Sequence, residues 1–445
     1  MPEIASPPAS TLTPAKTARQ RTDTFTSIWM IIAVAMALVT LVVKNRMPQP
    51  LWTIIHLVTL GVLSNGIFQW SWFFARSLAR LSADDPRARR HNTIRILIFN
   101  ACFLLLFVSM WLGWMVGTMI AATGIAAVAA WHGAEMLSVL RERLASRFVI
   151  VVRYYVCSAS FFVLAALLAS FVSATMFSPS IPEAMVAMRD RLTLAHALSG
   201  VAGWVGLTIG GTVITLGPTI LRTRMSPDAV SWGVRVLLPW CLSLLLAIAG
   251  ALLGVMPLVG AGILAVGTCA IVGIVCPYAK VLRNKGPREY SAWSFLLGLL
   301  WISVGVCALG VASLFVSTPS QLRVLTLMWL PIIGIAGFAQ LFQGALSYLM
   351  PVVIGGGPSI VRIGIAIIDW QYSLRLGLRN GALILELFLF FTSESSSVQV
   401  LRTAGWLLVI ATFVIDVVIY AKTGITQAQA RRARSETLSE SRQVQ

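Results

Sequence analysis

Residues 195–218 read AHALSGVAGWVGLTIGGTVITLGP. As a helix the stretch is long enough to cross the roughly 30 Å hydrocarbon core of a bilayer. It carries no formal charge, six glycines and a single histidine, His196. Glycine is a poor helix former in water, yet in lipid it lets backbones approach closely. A histidine inside a span is costly unless it has a partner or a ligand. At about 100° per residue, all six glycines (Gly200, Gly203, Gly206, Gly210, Gly211 and Gly217) fall within about 80° of His196. The segment therefore has one small-residue face with the histidine on it. That face fits another helix or something flat, and Gly206 and Gly210 form a GxxxG pair whose ordinary use is helix packing.

Similar apolar runs recur along all 445 residues, of which 58% are hydrophobic and 11% charged. The charged share is less than half the soluble norm of about 25%. The alternating ten-residue segments of a membrane β-barrel are absent. The sequence thus predicts an all-α polytopic membrane protein. Twelve transmembrane helices are expected, near 26–43, 51–75, 96–113, 115–138, 154–177, 195–220, 236–254, 258–279, 292–316, 325–350, 376–393 and 403–421. The run 94–140 is too long for one span and turns near Gly113 and Gly117. The stretch GVMPLVGAG separates spans seven and eight in the same way.

The basic residues test this division. With the N-terminus placed inside, 28 of the 34 Lys and Arg residues fall in inside segments and 6 in outside ones. Such a split is expected of an even number of spans in the plasma membrane with both termini cytoplasmic. It also accounts for the net charge of +18 without nucleic acid, since no basic recognition element interleaved with aromatics is present. The partner this composition demands is the lipid bilayer. Residues 1–25, rich in Pro, Ser and Thr, read as a disordered cytoplasmic tail. Residues 26–421 read as the transmembrane domain and 422–445 as a disordered basic cytoplasmic tail. The apolar segment before Lys44 and Arg46 lacks a small-residue cleavage site and reads as an uncleaved first helix. The six cysteines lie in apolar segments with no CxxC pair, so they read as reduced core residues rather than disulfides or a zinc site.

Spans two, six and ten resemble one another: IIHLVTLGVLSNG, LAHALSGVAGWVG and LPIIGIAGFAQLFQGALSYLMP. Their register suggests a threefold pseudo-repeat of four helices each. It puts Trp329 of span ten where span six has His196. His56 and His196 then lie at the same depth near the outer interface. Either they share one ligand, such as a haem iron or a copper ion, or each is a hydrogen-bonded interfacial histidine. His91 lies in a basic loop and reads as solvated. His132 and Glu135, three apart on span four, are either two metal ligands or an interfacial hydrogen-bonded pair. Asn65 and Gln69 lie on the side of span two opposite His56, which places that helix inside the bundle. Gln340 and Gln343 read as interhelical hydrogen-bond donors. Glu386 and Asp416 are intramembrane carboxylates that either form an ion or proton path or pair with Arg375, Arg379 or Arg402. After Gly355–Gly357 breaks span ten, an interfacial helix is expected, with Trp370 and Tyr372 at headgroup level. No nucleophile elbow, P-loop or HExxH occurs.

The stretches HLVTLGVLSNGIFQWSWFFARSL, GWVGLTIGGTVITLGPTILRTRM and LFQGALSYLMPVVIGGGP resemble the actinobacterial multispan membrane proteins often labelled copper oxidases. More broadly, spans two to eleven are similar to haem–copper oxidase subunit I. The resemblance implies haem or copper as cofactor, with His56 on the low-spin haem ligand helix and His196 on the helix that carries a copper ligand. It also implies an extracytoplasmic cupredoxin or other redox protein as partner. Spans seven and ten depart from the pattern, lacking the adjacent histidine pair and the haem-ligand histidines, which argues against oxygen reduction. Three functions follow as expectations: a degenerate oxidase-like protein binding haem or copper in a redox or metal-handling role; a small-solute or ion transporter using the intramembrane carboxylates; and a non-catalytic structural or assembly subunit.

Overall fold

The computed structural model describes residues 25–443 apart from 27, 38, 41–45, 48, 83, 144–146, 178–181, 285 and 394. The N-terminal tail apart from Phe25, and Lys44, lie outside the described residues. Among the described residues there is no strand, and ten helices are long and apolar enough to cross a membrane. A short apolar helix, α1 (Ile28–Ala37), precedes nine of these: α2 (Pro50–Leu78), α3 (Arg87–Leu112), α4 (Met115–Glu142), α5 (Ile150–Phe177), α6 (Met188–Ile220), α7 (Asp228–Leu253), α8 (Met256–Arg283), α9 (Tyr290–Ser313) and α10 (Trp329–Ile354). There follow α11 (Pro358–Ile368), α12 (Tyr372–Leu389) and the tenth long apolar helix, α13 (Ser396–Gln443). The chain is thus a helical multi-pass membrane protein.

Of the twelve expected spans, the first and the eleventh are not among the ten. The first falls on α1, only part of whose surroundings is described. The eleventh falls on α12, whose apolar character is diluted by Arg375, Arg379, Asn380 and Glu386, all of them buried. Both expected hairpins form at a glycine with a left-handed backbone, Gly113 (φ 65°) between α3 and α4 and Gly254 (φ 76°) between α7 and α8. A side chain there would be strained, so the turn requires glycine. Gly355, Gly356 and Gly357 also have positive φ and end α10, as the sequence suggests. A short apolar helix, α11, forms where the interfacial helix is expected, with Trp370 exposed after it.

The structure differs from the sequence reading after residue 421. Where a disordered tail is expected, α13 runs on to Gln443. The reason is capping. Gln427, Arg431 and Arg434 share one helix face. They donate to the carbonyls of Pro351 (2.7 Å), Ile354 (2.8 Å) and Gly356 (3.0 Å). These carbonyls lie at and just beyond the end of α10, where the last acceptors run out of intrahelical donors (Pro351 still accepts from the Gly355 amide) and the helix dipole favours cations.

The chain divides into two compact units, Met1–Thr212 with Leu244–Leu258, and Val213–Ser243 with Val259–Gln445. The first has an aromatic core in which Phe68, Trp72, Phe99, Phe103, Phe162 and Trp204 are buried. Phe162 and Trp204 stack at 4.6 Å, and Trp204 Nε1 donates to Ser64 Oγ at 2.9 Å. In the second, α9 and α10 pack backbone to backbone. A Cβ on Gly298 would land on the Leu341 amide, and one on Gly344 on the Phe295 amide. A cluster of Trp301, Trp329, Ile332, Ala336, Ala382, Leu383 and Val409 packs beside them.

The three spans paired by sequence share a structural signature. Each contains a π-helical stretch: Leu57–Ser64 in α2, Leu198–Gly206 in α6 and Ile332–Ala339 in α10. They begin one residue after His56, two after His196 and three after Trp329. Long π-helical stretches are rare and recur at functional sites, so their start within three residues of each of these positions marks all three.

Candidate functional site

His56 and His196 come together in the first unit. Their rings are nearly parallel (13°), with centroids 6.1 Å apart. Each ring is anchored by one nitrogen: Nδ1 of His56 lies 2.9 Å from the Trp52 carbonyl and Nδ1 of His196 lies 2.8 Å from the Ala165 carbonyl. A carbonyl only accepts, so Nδ1 carries the proton in both rings and Nε2 keeps its lone pair. The rings are thus held in the tautomer that metal-bound histidines commonly use, the outer nitrogen tied to a carbonyl. Trp52 also stacks on His56, with ring centroids 4.4 Å apart.

Much of the glycine face of α6 is taken up by helix packing. A Cβ at Gly203 would stand 2.5 Å from Phe161 Cβ, and one at Gly211 the same distance from Tyr154 Cβ; Gly200 lies against Ala165. All three neighbours are on α5. Gly200, Gly203 and Gly211 are therefore a packing surface for α5 and bring the Ala165 carbonyl within reach of His196, whereas Gly217 lies against Tyr278 of α8.

The other candidates separate. His91 is not simply solvated: its Nδ1 is 2.6 Å from Glu135 Oε1. Glu135 also accepts from Trp131 Nε1 (2.9 Å) and is ion-paired with the buried Arg95. His132, fully buried, lies 3.3 Å from Ser71 through Nε2. Glu135 is thus committed to cations and an indole, not to a metal shared with His132. Among the described residues no three His, Cys, Asp or Glu side chains gather as a metal group. Asn65 pairs with Asn100, which donates to it at 2.7 Å. At the loop before α3, Asp85 meets Arg87 at 2.7 Å, and that hydrogen bond holds its carboxyl below the usual range.

In the second unit the intramembrane carboxylates find the arginines. Asp416 is ion-paired with both Arg375 and Arg379 and accepts from the Tyr290 hydroxyl at 2.7 Å. Arg379 also donates to Gln343 Oε1 (2.9 Å) and to Thr412 Oγ1 (2.9 Å). Gln340 and Asn380 exchange hydrogen bonds at 3.2 and 3.1 Å, and Trp301 donates to Asn380. Glu386 faces Arg402 at 3.7 Å. Asp369, between α11 and α12, accepts from the Tyr290 amide at 2.8 Å, and burial pushes its carboxyl pKa up.

Sequence reasoning misses Arg95, Tyr290, Asn100 and Asn380. Arg95 is counted with the basic loop before it, although as the last arginine before an apolar run it is a candidate for burial. Tyr290 carries no charge and no spacing signal. The chain matches no family model, no curated protein and no solved structure.

Proposed function

We propose that this membrane protein binds a haem iron or a copper ion between His56 and His196, in a redox or metal-handling role. The observation that carries the reading is the ring pair, parallel and 6.1 Å apart. One ion held by an in-plane nitrogen of each ring at about 2.0 Å, the two rings pointing at it from opposite sides, would place the imidazole centroids about 6 Å apart with their planes free to be parallel. Imidazole suits iron and copper alike. With only two protein ligands, a closed tetrahedral site of the structural-zinc kind is not available. Two-coordinate copper fits this donor set, and so does haem, whose ring supplies the remaining ligands to iron. Such a group supplies one-electron chemistry when bound. The chain's own part is to fix both tautomers through Trp52 and Ala165. In this proposal the pair lies near the outer face, as the basic-residue distribution implies, where an extracytoplasmic redox partner has access. The resemblance to haem–copper oxidase subunit I supports the same reading, without oxygen reduction.

The test is absorbance and metal analysis of detergent-purified protein from haem- and copper-replete cells. A Soret band or stoichiometric copper is expected, and His56→Ala and His196→Ala are each expected to lower the bound fraction at least about tenfold. A colourless, metal-free wild type sinks the proposal.

A second reading, transport, draws on Glu386, which is 4% exposed and faces a single arginine at 3.7 Å. Asp416 is less suited to carry an ion or proton, because two arginines and a tyrosine occupy it. Proton- or ion-dependent uptake in vesicles, abolished by Glu386→Gln, is the outcome that would favour transport.

A further inference from the structure

Besides Ser109 Oγ and Arg189 Nε, four polar atoms of the first unit are buried with no hydrogen-bond partner among the described residues: Gln69 Oε1, Trp72 Nε1, Arg95 Nε and His132 Nδ1. They belong to neighbouring side chains on three helices. The Arg95 guanidinium lies 5.1 Å over the Trp72 ring, and the Trp72 and His132 rings meet edge-on at 6.3 Å. Gln69 is on the adjacent turn of α2, three residues before Trp72. Trp72, Arg95 and His132 are 1%, 0% and 0% exposed.

Buried polar groups of native proteins are almost always satisfied, by protein or by bound water. The chemistry of these four selects the ligand. Trp72 Nε1 and Arg95 Nε only donate, which excludes a cation. The positive charge of Arg95 is already matched by Glu135, so an anion would leave an uncompensated buried charge. Gln69 Oε1 only accepts, so the ligand must also donate. A small neutral molecule that accepts from N–H groups and donates to a carbonyl oxygen is water. We infer that Gln69, Trp72, Arg95 and His132 enclose a bound-water site in the interior of the first unit. The site stands apart from the His56–His196 pair and does not rest on it. It places an exchangeable ligand between His132 and the side chains around Glu135, where the sequence suggested a metal.

Hydroxyl-radical footprinting by X-ray radiolysis tests this on the unmodified protein, because buried side chains beside bound water are labelled while dry ones are not. Trp301 is the control: 9% exposed, with its N–H donated to Asn380 at 2.8 Å. Trp72 is expected to be oxidised about tenfold faster than Trp301 despite being more buried. A Trp72 rate no higher than that of Trp301 overturns the inference. Repeating the measurement in bromide, read as the Trp72-to-Trp301 ratio because bromide scavenges hydroxyl radicals in bulk, separates the two ligand classes: an unchanged ratio supports water, and a fall in the ratio puts an anion beside Trp72 instead and overturns it.

Discussion

Replacing Asp416 with asparagine is expected to destabilise the second unit by about 3–5 kcal/mol, the usual cost of stranding a buried charge. Asp416 has no exposed surface, and its two oxygens meet Arg375, Arg379 and the Tyr290 hydroxyl. Asparagine keeps the shape but removes the anion, leaving two guanidinium groups facing each other in the protein interior. A companion variant makes the cause visible. Asp416→Asn combined with Arg375→Gln removes one cation with the anion, and it should recover part of the loss. The measurement is the thermal midpoint of detergent-solubilised protein by fluorescence-detected size exclusion. An asparagine variant that melts with wild type, or a double variant worse than the single one, would show that the network does not hold this unit together.

The second large effect is steric. Gly344→Val is expected to cost about 1–3 kcal/mol or more through overpacking. Its Cβ would land on the Phe295 backbone amide of α9, and a backbone, unlike a flexible side chain, cannot rotate aside. The two helices must separate, which disturbs the reciprocal contact at Gly298. Gly334 in the same helix has nothing within 4 Å of its Cβ position, so Gly334→Val is expected to stay close to wild type in the same melting assay. Equal losses at both positions would mean that helix propensity, not close packing, sets the cost.

Much of the architecture was legible from residues alone, for identifiable reasons. Apolar length and basic-residue distribution report the environment of a segment directly, so the ten spans and the turns at Gly113 and Gly254 could be read locally. The likeness of spans two, six and ten was visible as glycine and proline patterning, and each of the three carries a π-helical stretch of eight or nine residues. The tail after residue 421 was misread because its donors, Gln427, Arg431 and Arg434, have no apparent purpose until the carbonyls at the end of α10 lie beside them. His91 looked solvated for the same reason, since its partner Glu135 is on another helix.

For the candidate sites the division is similar. That His56 and His196 lie at comparable depth follows from span register. That their rings are parallel, 6.1 Å apart and tied to the Trp52 and Ala165 carbonyls follows from how α2, α5 and α6 pack. The same packing assigned Gly200, Gly203 and Gly211 of α6 to α5. Likewise, the intramembrane carboxylates were conspicuous in sequence, but three arginines were open to them. Only the folded chain pairs Asp416 with Arg375 and Arg379, and Glu386 with Arg402. By itself the sequence determined which residues lipid would not tolerate alone, because transfer cost belongs to each residue. Which group relieves that cost depends on distance between helices far apart in the chain, and tertiary structure alone decided it.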